Sequence, residues 1–112
     1  MKTVYLFFED DCCDRRLKGI YASKELAAKD IDKYLNCLEQ DAIEHLGGLR
    51  FDAEWLRIKV IRESLEIFFN GNDDYLYSNY SDHGITILKK TLIENEEDLT
   101  KDKDMEVLNF GF

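Results

Sequence analysis

One long helical repeat, between Ser23 and Gly48, constrains the fold of this chain more than any other feature. The Ser23 hydroxyl can accept a hydrogen bond from an N–H of the first turn, and Glu25 favours the positive end of the helix dipole. Gly47 and Gly48 are the residue type that commonly ends a helix. Apolar residues recur at helical spacing at Ala27, Ile31, Tyr34, Leu35, Leu38, Ala42 and Leu46. The pattern predicts an amphipathic helix.

Strand-type sequence precedes this helix. Residues 3–8 are β-branched or aromatic and stop at a cluster of acids, which is typical of a buried strand entering a loop. A second short strand is predicted at 17–22, where Gly19 indicates a bulge or a close backbone approach.

Strand-type sequence also follows the helical region. Residues 75–80 alternate, residues 81–84 have turn chemistry, and residues 85–93 resume the strand pattern, so we expect a β-hairpin. The acidic residues 94–104 are predicted to form a solvated loop, and the apolar tail 105–112 a further edge strand.

Residues 51–69 fit both a strand and a helix, because Leu56, Ile58 and Val60 alternate with Arg57 and Lys59. The helical alternative is a stripe of Phe51, Trp55, Ile58, Ile61, Leu65 and Phe68. End signals favour the helix: Asp52 is a suitable N-cap, Phe51 and Leu56 occupy the positions of a hydrophobic staple, and Asn70–Gly71 is a suitable stop. We therefore expect a single α+β domain over residues 1–112, with a small, mostly antiparallel sheet packed against one or two helices.

Composition and apolar run length bear on the compartment. The chain has 112 residues, of which 45% are hydrophobic, and is expected to fold. No apolar run approaches the roughly 20 residues of a membrane-spanning helix, and the N-terminus lacks the pattern of a signal peptide. We expect a cytoplasmic protein without membrane contact, whose Cys12, Cys13 and Cys37 are free thiols.

The N-terminal quarter of the chain carries a family resemblance. Val4–Tyr5, followed by the sequence from Gly19 to Ala27, resembles the start of many small uncharacterised bacterial and phage α+β proteins, in which a strand pair precedes a Ser-capped helix. The resemblance implies an architecture and assigns no functional residue.

No motif in the sequence indicates catalysis or a cofactor, and we assign no catalytic, cofactor or metal-binding residue. Adjacent cysteines have poor spacing for structural zinc, although a site using Cys12 or Cys13 with Cys37 and His45 stays open as an alternative. Residues 70–74 superficially resemble part of a calcium loop but lack its later acidic ligands. A small enzyme or metal protein with an unrecognised site stays open as an alternative hypothesis.

The charge of the chain indicates the class of its partner. The formal net charge is -9, and the excess of acids comes from residues 24–46, 70–83 and 94–106. Such a surface repels the phosphates of nucleic acids and attracts basic proteins. We expect no direct nucleic-acid binding and a basic protein partner, such as a nuclease or a defence effector.

The segment 73–82 provides the positive functional signal, because its tyrosines are interleaved with Ser, Asn and Asp, a composition favoured by binding surfaces. The competing interpretation of this segment is an ordinary half-buried strand. The acidic residues 94–104 could likewise face a partner or form only a solvated loop. The predicted partner-binding residues are Asp73, Asp74, Tyr75, Tyr77, Tyr80, Asp82, Glu94, Glu96, Glu97 and Asp98.

These features favour a non-enzymatic acidic protein that inhibits a basic nucleic-acid-processing partner stoichiometrically, by placing carboxylates where phosphates would lie. Phage anti-defence proteins and toxin-immunity proteins are natural settings for this activity. The second hypothesis is a homodimeric regulatory or accessory protein that uses its hairpin or its C-terminal edge.

Overall fold

The described part of the chain forms a four-stranded sheet and two helices. The computed structural model describes residues 2–12, 14–80 and 83–96. The elements in chain order are β1 (Lys2–Asp11), β2 (Asp14–Tyr21), α1 (Lys24–His45), α2 (Gly48–Asn70), β3 (Tyr75–Tyr80) and β4 (His83–Leu92). All strand pairs are antiparallel, in the order β2-β1-β4-β3. The α+β prediction is confirmed, whereas the strand predicted at 105–112 lies outside the described residues.

The two central strands divide their side chains between two faces of the sheet. Phe7 pairs with Ile87, and these side chains point towards the helices and join the main core. Phe8 pairs with Thr86, and because successive side chains of a strand alternate, this pair points to the opposite face. We call the face with Phe7 and Ile87 the helix face. The face with Phe8 and Thr86 is called the open face, because neither helix lies on it.

Both helices cover the helix face with apolar side chains. The core contains Phe7, Ala27, Ile31, Leu35, Ile58, Ile61, Leu65, Phe68, Ile85 and Ile87. Burying one large aliphatic or aromatic side chain contributes about 1.5–3 kcal/mol, so this layer supplies most of the driving force for folding. Among the residues described, no helix is long and apolar enough to cross a membrane.

The start of α1 agrees with its predicted cap, but its end does not. The Ser23 hydroxyl accepts a hydrogen bond from the Leu26 N–H at 3.2 Å. The helix ends at His45 with Leu46 as C-cap, so the prediction that Gly47 and Gly48 cap α1 is wrong. Both glycines instead begin α2, because a connection this short requires the positive φ of +58° that Gly48 adopts.

The helical interpretation of 51–69 is confirmed, but the predicted N-cap at Asp52 is wrong. Helix α2 starts at Gly48 with Gly47 as N-cap, and Gly71 is the C-cap that was predicted. Phe51 stacks on Trp55 with ring centroids 5.2 Å apart, as residues one helical turn apart can. Phe51 is therefore a helical residue, and it cannot act as the residue before the cap.

The edge strand β2 contains the irregularity that Gly19 indicated. Phe7 pairs with Gly19, and the next residue, Phe8, pairs with Leu17. Lys18 is thus the extra residue of a β-bulge, which shifts the alternation of side chains along β2.

Candidate functional site

The structure places two of the predicted tyrosines side by side on the open face. Tyr75 pairs with Leu88 and Tyr77 with Thr86, and all four side chains share this face. The side chains of Tyr75 and Tyr77 are strongly exposed, with 67% and 55% of their surface accessible. The interpretation of 75–80 as a strand is confirmed, and these two tyrosines are not half-buried.

The tyrosines border an apolar band that crosses the sheet. Leu6, Phe8 and Leu88 form a second, smaller cluster in the middle of the open face, and all three are buried. At the opposite edge, Ile20 pairs with Leu6 and Leu17 with Phe8. Ile20 and Leu17 are exposed, as the tyrosines are. The open face therefore has accessible apolar side chains at both of its edges.

A polar cluster closes one end of this band. The Asp10 carboxylate accepts hydrogen bonds from Arg15 Nε at 2.9 Å and from the Thr86 hydroxyl. The Arg15 guanidinium also lies over the Phe8 ring, 5.6 Å from its centroid. The positive charge of Arg15 thus compensates the negative charge of Asp10, which adds little to the electrostatic field outside the protein.

Asp73 and Asp74 lie directly before β3, in the connection from α2, and both are exposed. Within the part of the chain that the structure describes, neither carboxylate makes a hydrogen bond or an ion pair. The backbone is nevertheless fixed, because the Asp74 carbonyl accepts a hydrogen bond from the Lys89 N–H at 2.8 Å. A shallow groove of about 480 Å³ runs along residues 72–77. The site thus joins two solvated carboxylates to two exposed tyrosines.

The carboxylates of α1 differ from those of this site, because several have internal partners. Arg62 donates from Nη1 to Asp32 at 2.6 Å and from Nε to Glu39 at 2.9 Å. Asp30 accepts a hydrogen bond from the Tyr21 hydroxyl. Burial raises the pKa of Tyr21 above its ordinary value, and the Asp30 contact raises the pKa further. Several carboxylates of α1 therefore bind other side chains of the same protein.

The other predicted site residues have different positions. Tyr80 is the last residue of β3. Glu94 and Glu96 are exposed and follow β4, which leaves the sheet at the end where Asp74 enters it. Asp82, Glu97 and Asp98 lie outside the described residues. The structure thus brings Asp73, Asp74, Tyr75 and Tyr77 into one continuous surface.

Comparisons with protein-family models, curated proteins and solved structures found no match. The function must therefore be inferred from the surface itself.

Among the described residues, Cys12 does not form the metal site with Cys37 and His45 that the sequence left open, and Cys13 lies outside those residues. Cys12 and Cys37 are exposed and form no disulfide in the described ranges. In those ranges, the one group of three potential metal ligands within reach of each other is Asp41, Glu44 and His45. All three are exposed on the last turns of α1, where such groups are common without a metal.

The sequence did not reveal the apolar band at the β2 edge. The bulge at Lys18 moves Leu17 and Ile20 onto one face although they are three residues apart. A regular strand would place residues three apart on opposite faces. The Gly19 signal marked the irregularity, but its effect on side-chain direction needed the pairing with β1.

Proposed function

We propose that this protein is a non-enzymatic, acidic binding protein that blocks a basic surface of a protein partner. The blocked surface is the one with which the partner binds nucleic-acid phosphates. One copy of this protein would therefore inhibit nucleic-acid binding by one copy of the partner. A phage anti-defence protein or a toxin-immunity protein would act in this way.

One observation carries the proposal: two exposed carboxylates, which have no partner among the described residues, adjoin two exposed tyrosines on an edge strand of the sheet. Solvated carboxylates attract a basic surface and accelerate its association. Tyrosines provide a large contact area at a low cost in side-chain entropy, and they are enriched among residues that dominate binding energy. Asp73 and Asp74 would thus guide the encounter, and Tyr75 and Tyr77 would hold the complex.

The proposal is tested by affinity capture at low salt, followed by a direct assay of the captured protein. We expect one basic partner, released by salt, that loses its nucleic-acid binding when one equivalent of this protein is added. A captured protein whose nucleic-acid binding is unchanged at excess inhibitor would contradict the proposal.

Neutralising the site carboxylates should slow association with that partner. In the variant Asp73→Asn/Asp74→Asn, we expect the association rate constant at low salt to fall about tenfold, with a smaller change in the dissociation rate constant. Stopped-flow measurements over a range of salt concentrations give both quantities.

The matched control is Asp41→Asn/Glu44→Gln, which removes the same charge from exposed residues at the far end of α1. We expect this control to have a much smaller effect on the association rate. Equal slowing by both variants would mean that total charge, and not the site at β3, governs the encounter.

A further inference from the structure

The two edges of the sheet differ in how well they are protected. Natural proteins protect exposed edge strands with bulges, prolines and charged side chains, lysine above all. Strand β2 has a bulge and carries Arg15, Arg16 and Lys18. Strand β3 has the sequence YLYSNY, without a charged residue or a proline, and its pairing with β4 has no bulge. Among the strands that the structure describes, β3 is by these criteria the edge that can accept another strand.

The hydrogen bonds between β3 and β4 fix the direction of each backbone group. The Asp74 carbonyl accepts from the Lys89 N–H, so Tyr75 and Leu88 form a pair that is not hydrogen-bonded to each other. In such a pair, the N–H and C=O groups point away from the partner strand. The N–H and C=O of Tyr75 therefore point to the outer edge of the sheet, beside the groove along 72–77.

We infer that the outer edge of β3 binds an extended basic segment of the partner as an added strand, an inference that rests on the proposed function. Hydrogen bonds to the Tyr75 backbone would provide affinity that does not depend on sequence. The added strand would lie about 4.8 Å from β3, so its alternate side chains would lie next to Tyr75 and Tyr77 on the open face.

Charge complementarity selects a basic segment for this edge. Asp73 and Asp74 lie at the beginning of β3 and can pair with lysine or arginine at one end of the added strand. Lysine or arginine side chains can also lie over the exposed Tyr75 ring as cation–π pairs. An acidic segment would be repelled by the two carboxylates, so we expect discrimination by sign of charge.

Two synthetic peptides test this inference on the full-length protein. The first is a short peptide of alternating lysine and valine, and the second has the same sequence with every backbone nitrogen methylated. Both have the same charge, but the second cannot donate backbone hydrogen bonds. We expect the first to slow exchange of the Tyr75 amide about tenfold at saturation, and the second to bind at least tenfold more weakly.

Three results would overturn strand addition. Equal binding of the two peptides would show recognition by charge alone, and it would leave the proposed function standing. Binding of neither peptide at millimolar concentration would rule out the edge as a site for basic strands. Protection of the Tyr75 amide in the free protein would show that the edge is already occupied. The occupant would be a second copy of the protein if protection rises with protein concentration, and another part of the same chain if it does not.

Discussion

Replacing Ile61 with alanine is expected to lower the free energy of unfolding by about 3 kcal/mol. Ile61 lies on α2 within the main core, and none of its surface is accessible. Truncating it removes buried apolar surface and leaves a cavity between α2 and its neighbours. Urea denaturation followed by circular dichroism measures the change, which is a large fraction of the stability of a domain of this size.

Ile67 provides the matched control, because it is the same residue type on the same helix with 71% of its surface exposed. Ile67→Ala should change the free energy of unfolding by less than about 0.5 kcal/mol. Similar losses for the two variants would contradict the packing of α2 against the sheet.

Most of the buried face of α2 could be predicted from the sequence, but the start of the helix could not. Four members of the predicted stripe are buried in the structure, whereas Trp55 is exposed and Phe51 is only partly buried. The buried members are Ile58, Ile61, Leu65 and Phe68. The start of the helix was misplaced because Asp52 is a good cap by itself. The tight connection after α1 placed the start at Gly48 instead, and that constraint is tertiary.

The candidate site was predictable in composition but not in geometry. Tyr75 and Tyr77 could be placed on one strand face from their spacing, and the structure confirms it. Their exposure depends on the helices lying on the other side of the sheet, which alternation alone does not specify. Likewise, the internal partners of Asp30, Asp32 and Glu39 depend on contacts distant in sequence.

The largest effect on binding is expected from Tyr75→Ala. We expect the complex with the basic partner to weaken about 30-fold, equivalent to about 2 kcal/mol, mainly through faster dissociation. Because Tyr75 is largely exposed, the free energy of unfolding should change little. Surface plasmon resonance on the captured partner gives the rates.

Leu49→Ala is the control for Tyr75→Ala, since Leu49 is a large apolar residue with 87% of its surface exposed at the start of α2. We expect its complex to keep the affinity of the unmodified protein. A greater loss with Leu49→Ala than with Tyr75→Ala would move the binding surface to the connection between the helices.

Hydrogen–deuterium exchange of the protein, alone and in complex with its captured basic partner, tests the central claim most directly. The account predicts that new protection of backbone amides is concentrated in residues 72–78, around the Tyr75 edge of β3. Protection confined to the distal helical region 41–56, with exchange in 72–78 unchanged, would contradict it.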